Sequence, residues 1–264
     1  SCFDCVEGIK QFNFTFDKEQ PEIFIVVDTT DSRIGNAERY FKKAKKTINI
    51  DHHISNAEGC AMVNYVVPTA SSASELIYNL MDTAYLDRDI AEAIYMGIAH
   101  DTGIFKFAST SPTTMRIVAD LMEYGFDFPA LLDTTYYEKT HLQNLALGRI
   151  LSESKLHLDG KVISGCMDIK TMTEMGITGN PFEGVVSQLR ITKGTECAIF
   201  MYQINAVTYK ISLRSKKVVD VAKVAEHFGG GGHVRAAGFY YKGEPEEILA
   251  EILKLVEEDF QRGQ

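Results

Sequence analysis

Two short apolar runs near the start of the chain each end on an aspartate, "IFIVVD" at residues 23–28 and "TINID" at 47–51, and one amphipathic stretch, "NAERYFKKA" at 36–44, separates them. This rhythm permits few folds. A helix that returns the chain between two strands predicts parallel pairing, and a parallel sheet needs helices on both faces to bury it. The last residues of its strands emerge at the carboxyl edge, where open α/β sheets bind their ligands. Asp28 and Asp51 are therefore expected at one edge, with Asp51 extended by His52 and His53. A lone strand-end aspartate usually caps the following helix. Two such ends, one carrying a histidine pair, weaken that plainer explanation.

Helical patterns follow at 71–84 and 87–101, then from Ser111 and Pro112 to Gly125, then from about Pro129 to Leu151. Asp101 closes "AEAIYMGIAHD" just before Thr102 and Gly103. A carboxylate there faces the negative end of the helix dipole, a cost of up to about 1 kcal/mol unless a cation compensates. A divalent metal would be such a cation; a solvated loop acid beside His100 or Lys106 is the alternative of equal weight. Aspartates with imidazole and no thiolate suit manganese or magnesium more than zinc, with iron or cobalt compatible. Asp28, His52 and Asp101 are three clear ligands, fewer than a pair of ions about 4 Å apart would need.

Past residue 152 the texture changes. A hairpin is expected over 155–168 with its turn at Asp159-Gly160, then strands at 196–204 and 208–215, a helix at 218–228 and another from about Pro245 to Phe260. Within "HFGGGGHVRAAG", residues 227–238, four glycines bare the backbone so that amide N–H groups can approach an anion. His233 and Arg235 stand alongside, and Arg214 of "SLRS" can grip a phosphate with two N–H groups. The spacing is not that of a P-loop, and a flexible loop is the plainer reading of the glycines alone.

Composition narrows the classes. With 264 residues, 45% hydrophobic and 24% charged, the chain can bury one large core or two ordinary ones. A net charge of −9 argues against coating long nucleic acid, which rests on many Lys and Arg contacts to phosphate. No apolar run approaches the roughly 20 residues of a spanning helix, so no membrane anchor is expected, and no basic-then-apolar signal segment opens the sequence. Five scattered cysteines read as free thiols in a reducing cytoplasm, and the single C-x-x-C of Cys2 and Cys5 is not expected to hold zinc.

In order, "VVDTTD", "IDHH", "AHDTG", "SLRS" and "GGGGHVRAAG" resemble the DHH/DHHA1 phosphoesterases from about residue 20 to the end. Within them the chain looks most like the cytoplasmic nanoRNase-type members, which degrade very short oligonucleotides and dephosphorylate 3′-phosphoadenosine 5′-phosphate. The resemblance implies an α/β chain: a parallel-sheet DHH domain over 1–137 with helices on both faces, a long linker helix over 138–153, and a smaller mixed-sheet DHHA1 domain over 154–264. It implies two Mn2+ ions, with Mg2+ or Co2+ as substitutes; Asp28 bridges them, and His52 and Asp101 bind one. It places His53 against the scissile phosphate, with Asp51 orienting the neighbouring imidazole. The serine-rich "ASSASE", 70–75, is expected close by. Arg214, Gly230, Gly231, Gly232 and His233 are the expected nucleotide contacts, with Arg190 a weaker candidate.

The implied reaction is hydrolysis by metal-activated water of a substrate two to a few nucleotides long, held in the domain cleft. Rival readings are hydrolysis of pApA, the linear product of a cyclic dinucleotide, and a non-catalytic nucleotide-binding module. A long-strand exonuclease is disfavoured by the charge and a family II pyrophosphatase by the second half. A homodimer is compatible with the sequence, but no feature calls for one. One departure stands out: the family's His-x-x-x-Asp-x-Asp segment belongs several dozen residues before Asp28, and "SCFDCVEGIKQFNFTFD" contains none. An N-terminal portion is therefore expected to be missing, which accords with the ligand deficit.

Overall fold

The computed structural model describes residues 6, 8–17, 19–179 and 181–262, so Cys2 and Cys5 lie outside the described residues. It divides into two compact units, Ser1–Glu138 and Lys139–Gln264.

The first unit carries a three-stranded parallel sheet in the order β1 (Ile23–Val27), β2 (Lys46–Asp51), β3 (Val63–Val66). Val27 stands opposite Ile50, and the Asp28 N–H donates to the Ile50 carbonyl at 2.9 Å. Asp28 and Asp51 therefore leave neighbouring strands at the same edge. Helix α1 (Glu38–Lys43) makes the crossover between the first two strands, and α2 (Ala73–Leu80), α3 (Arg88–Asp101), α4 (Pro112–Met122) and α5 (Phe128–Leu132) follow. Ser72, Asp87, Ser111 and Asp127 cap the last four, each accepting a backbone N–H of the first turn. The second helix stops at Leu80, short of the expected 84, because Asp82 caps a separate turn over 83–85. Leu76 packs with Ile50 and Ala70, while Ile94, Tyr95, Ile98, Ile117 and Leu121 form a second core.

The helical pattern read over 129–151 is two helices, and the second of them lies within the 138–153 expected for the linker helix. A π-turn, Asp133–Tyr137, follows α5, and α6 (His141–Ser152) starts afresh from Thr140. Thr140 and Gln143 form a reciprocal capping box that starts a new helix rather than extending the old one. Ala146 and Ile150 of this helix are buried in the second unit's core.

That unit continues through β4 (Lys155–His157), β5 (Val162–Met167), α7 (Ile169–Glu174), α8 (Val185–Arg190), β6 (Cys197–Asn205) and β7 (Thr208–Ser215). It ends with α9 (Val221–His227), β8 (Gly231–His233), β9 (Ala236–Lys242) and α10 (Pro245–Arg262). The six strands run in the order β4-β5-β6-β7-β9-β8, and only β5 and β6 pair in parallel. The first hairpin turns about Asp159-Gly160 as expected, but through a four-residue loop, 158–161: Leu158, Asp159 and Gly160 run at φ +50°, +54° and +80°, and the Gly160 and Lys161 N–H groups donate to the His157 and Leu158 carbonyls. One sheet face packs Ile199, Ile211, Leu213 and Phe239 against Val221, Val224, Ile248, Ile252 and Val256 of α9 and α10. On the other face Ile163, Ala198 and Phe200 meet Ala146, Ile150, Val185 and Leu189. Each such fully buried aliphatic side chain contributes about 1.5 to 3 kcal/mol.

Candidate active site

At the carboxyl edge of the parallel sheet, His52 Nε2 lies 3.3 Å from Asp28 Oδ1 and 3.4 Å from Asp101 Oδ2. Its other ring nitrogen, Nδ1, stands 3.3 Å from the Ala70 carbonyl. A carbonyl can only accept, so Nδ1 carries a proton; the neutral ring keeps its lone pair at Nε2, and it is the proton added there in the cationic form that bonds to the carboxylates. The neutral form is the tautomer a metal ligand needs. Without a cation, the hydrogen bond to Asp28 and the charge of Asp101 hold the His52 pKa above its ordinary value against the opposing effect of burial. Asp101 is pushed up, first by desolvation and then by the Asp28 charge. Acids crowded in this way raise the free energy of the cluster until a cation enters it.

Each ligand is set by its own backbone. Asp28 sits in the left-handed region at φ +61°, which aspartate tolerates better than most residues. After Asp101, Gly103, Ile104 and Phe105 run at φ +57°, +55° and +61°. For the β-branched Ile104 this conformation costs on the order of 1 to 3 kcal/mol. Thr102, fully buried, holds the turn: its Oγ1 donates to the Ile98 carbonyl at 2.7 Å and accepts the Phe105 N–H at 3.0 Å. The helix therefore ends abruptly on Asp101.

Asp51 is 0% exposed and acts through His53. Its Oδ1 accepts the backbone N–H groups of His52 and His53 at 2.7 and 3.1 Å and lies 2.7 Å from His53 Nδ1; its Oδ2 accepts the Asn56 amide at 2.6 Å. Burial alone works to raise this carboxyl, but the bonds from His53, Asn56 and the two backbone groups outweigh it and leave the pKa lowered. Ligand atoms of Asp28, His52 and His53 all fall within 4.8 Å of one another. His53 Nδ1 is taken by Asp51, so His53 presents its Nε2 edge instead. Sequence reasoning missed Asn49 and Asn56. Asn49, a polar residue fully buried in a strand, donates to the Val26 and Thr29 carbonyls and accepts from Asn56 at 2.9 Å. The "ASSASE" segment supplies the Ala70 carbonyl. It is anchored by the buried Glu75 carboxylate, which accepts from Ser71 Oγ at 2.5 Å and Thr114 Oγ1 at 2.7 Å.

In the second unit the glycine loop is only partly free. The N–H groups of Gly229 and Gly230 donate to the Glu226 and Ala225 carbonyls at the end of α9, so Gly230 offers no amide to an anion, contrary to the sequence reading. A Cβ on Gly230 would lie 2.5 Å from the Gly238 carbonyl and one on Gly232 2.5 Å from that of Ala236, whereas Gly231 faces open space. Close strand packing is thus one reason for these glycines. Arg235 is also spent, donating to the Val219 and Lys217 carbonyls. Arg214 and Arg190 pair with no carboxylate among the described residues. Burial, then the Arg190 charge, lowers the Arg214 pKa. His233 is exposed beside the open Gly231.

Residues 1–98 match the family model described as "DHH family, N-terminal domain", and residues 160–262 match the "DHHA1 domain". The chain is 30% identical over 243 residues to the "bifunctional oligoribonuclease and PAP phosphatase NrnA" of Bacillus subtilis, covering 89% of this chain and 76% of that one. It is 31% identical over 257 residues to the "probable" enzyme of that name from Streptococcus mutans, covering 94% and 80%. The relative of that name from Thermus thermophilus is 28% identical over 219 residues; the match takes in 82% of this chain and 65% of that protein's length. An exopolyphosphatase-related protein of Bacteroides fragilis shares the fold, with a TM-score of 0.82 at 24% identity over 90% of this chain and 71% of that one. With both domain models matched in order and two relatives at or above 30% identity over most of their length, the chain belongs to the DHH/DHHA1 family of phosphoesterases.

Proposed function

We propose that this chain hydrolyses phosphate esters of very short oligonucleotides and of 3′-phosphoadenosine 5′-phosphate, using a divalent metal, by preference manganese. The observation that carries the reading is His52, locked by Ala70 in the tautomer that aims Nε2 at Asp28 and Asp101. The donor set fits such an ion: two carboxylates, one imidazole nitrogen and no thiolate. Asp28, His52 and Asp101 would hold it. When bound, the metal polarises the phosphate and lowers the pKa of water to supply a nucleophile.

The chain's own residues do the rest. Asp51 fixes the His53 proton on Nδ1 and leaves Nε2 to meet a phosphate oxygen. Asn49 and Asn56 hold Asp51 in place, and Glu75 with Ser71 holds the carbonyl that orients His52. The first unit is read as the catalytic DHH domain and the second as the DHHA1 domain that grips the nucleotide through Arg214, Gly231, Gly232 and His233. The relatives' names as oligoribonucleases and PAP phosphatases support the substrate class. Free Cys60, Cys166 and Cys197 are in keeping with a reducing cytoplasm, and no helix among the described residues is long and apolar enough to cross a membrane.

The test is product release from a trinucleotide, pApA, 3′-phosphoadenosine 5′-phosphate and a 24-mer, with manganese and after chelation. Metal-dependent turnover of the short substrates is expected. No hydrolysis, or turnover that survives His52→Ala and Asp101→Ala, defeats the proposal.

A further inference from the structure

The sheet of the second unit has one half-face that its core does not use. The core under α6 and α8 draws no residue from β7, β8 or β9. Cross-strand register sorts the open face into rows, because residues directly opposite one another point to the same side. Arg214 stands opposite Ala236, which stands opposite His233. The next row is Ser212, Gly238 and Gly231, and the one after it places Lys210 between Tyr202 and Tyr240. Rows on one face are about 7 Å apart.

The middle row is nearly bare, with two glycines beside the small Ser212, and at Gly238 this is a necessity. A Cβ on Gly238 would lie 2.7 Å from the Ile211 carbonyl, and Gly231 has open space above it. The third row is built of rings and a cation. Lys210 Nζ lies 6.0 Å from the Tyr202 ring centroid and 5.9 Å from that of Tyr240. Tyr202 is anchored on Phe182 and Phe200, whereas Tyr240 is 61% exposed although it sits on a paired strand rather than a loop. Lys210, Arg214 and Arg190 pair with no carboxylate among the described residues, in a chain with 36 acidic and 27 basic residues. A rigid exposed ring beside unneutralised cations over a nearly bare floor matches the requirements of single-stranded nucleotides, whose bases stack and whose phosphates need charge.

We propose that Tyr240 and Lys210 form a base-stacking subsite for the nucleotide adjoining the one gripped at Arg214 and His233. This rests on the nucleotide-binding role proposed above for the second unit and extends it to substrate length. One further row, Thr208 opposite Lys242, ends the pairing of β7 with β9, so the track accommodates a few nucleotides and no more. The shortness of the preferred substrate then follows from the length of the sheet.

The experiment is calorimetric titration of the full chain in chelator, so that nothing turns over, with 3′-phosphoadenosine 5′-phosphate and with the trinucleotide pApApA. Tyr240→Ala weakens the trinucleotide relative to the mononucleotide by about 5- to 150-fold, the range for one base stacked on an aromatic ring. Tyr240→Phe keeps the wild-type ratio, and Lys210→Met reduces the salt slope of trinucleotide binding by about 0.7, one phosphate contact. The ring stands mostly in solvent, so its removal opens no cavity, and an unchanged melting curve verifies the fold. An unaltered ratio in Tyr240→Ala, or equal loss of both ligands, overturns the subsite while leaving the proposed function standing. Failure of the wild-type chain to bind either ligand defeats the nucleotide-gripping role of the second unit, and the subsite with it.

Discussion

Replacing Asp51 with asparagine tests whether the carboxylate, and not merely its shape, holds the site together. In the substituted side chain the amide oxygen must take the place of Oδ1, where the His52 N–H, the His53 N–H and His53 Nδ1 converge. The new NH2 then falls where Oδ2 accepted the Asn56 NH2 at 2.6 Å, donor against donor. Asn56 cannot relieve this by flipping, because its oxygen would meet Asn49 Oδ1, and Asn49 is fixed by its own donation to the Val26 and Thr29 carbonyls. One buried polar group is left unpaired, at a cost of about 1 to 3 kcal/mol, and three bonds lose their charge assistance. Relief of the buried charge offsets part of this. The lowered Asp51 pKa shows that the hydrogen bonds outweigh burial, so the net loss is about 2 to 4 kcal/mol. Thermal denaturation in chelator is expected to show a midpoint lower by roughly 5 to 15 °C, and turnover with manganese to fall at least 10-fold as His53 Nδ1–H loses its charged acceptor. A variant as stable as wild type and within twofold of its activity would refute the polarised chain from Asn49 to His53.

Two further substitutions probe the second unit. Gly230→Ala forces a methyl against the Gly238 carbonyl and the Phe239 side chain and destabilises by about 1 to 3 kcal/mol, whereas Gly231→Ala, in open space, stays within about 0.5 kcal/mol by urea denaturation; equal effects would contradict the packing account. Asp168 caps α7 by accepting the Thr171 N–H at 2.6 Å, the leading reason its pKa is lowered. Asp168→Ala therefore costs about 0.5 to 2 kcal/mol at pH 7. A depressed folded-state pKa makes this contribution complete above the unfolded value of about 3.9 and lost as the pH falls through the folded one. Denaturation at pH 7 and pH 3 checks it, and an undiminished cost at pH 3 counts against a charged cap.

Much of the fold is legible in periodicity and caps. The run–helix–run pattern around Asp28 and Asp51 announces parallel pairing, and Asp87, Ser111 and Pro112 announce their helices. The break before α6 was legible too, in the T-x-x-Q of Thr140 and Gln143. β3, of four residues, and α7 and α8, of six each, are too short to establish a period, and their existence depends on the surfaces they cover. The hairpin loop around Asp159-Gly160 has four residues and not two because pairing of His157 with Val162 sets its length, and register there is a property of two strands.

The sequence by itself determined which side chains could serve the site and that Asp28 and Asp51 would leave neighbouring strands, because local spacing and strand direction need no distant partner. Only the tertiary structure decided what each does there. His52 and His53 are adjacent and chemically identical, yet Ala70, eighteen residues on, takes the Nδ1 of one and Asp51 that of the other. Asp101 meets His52 only because the packing of α3 brings its last residue to the sheet edge. A histidine's tautomer and direction follow from the acceptor that reaches it, and that acceptor comes from another part of the fold.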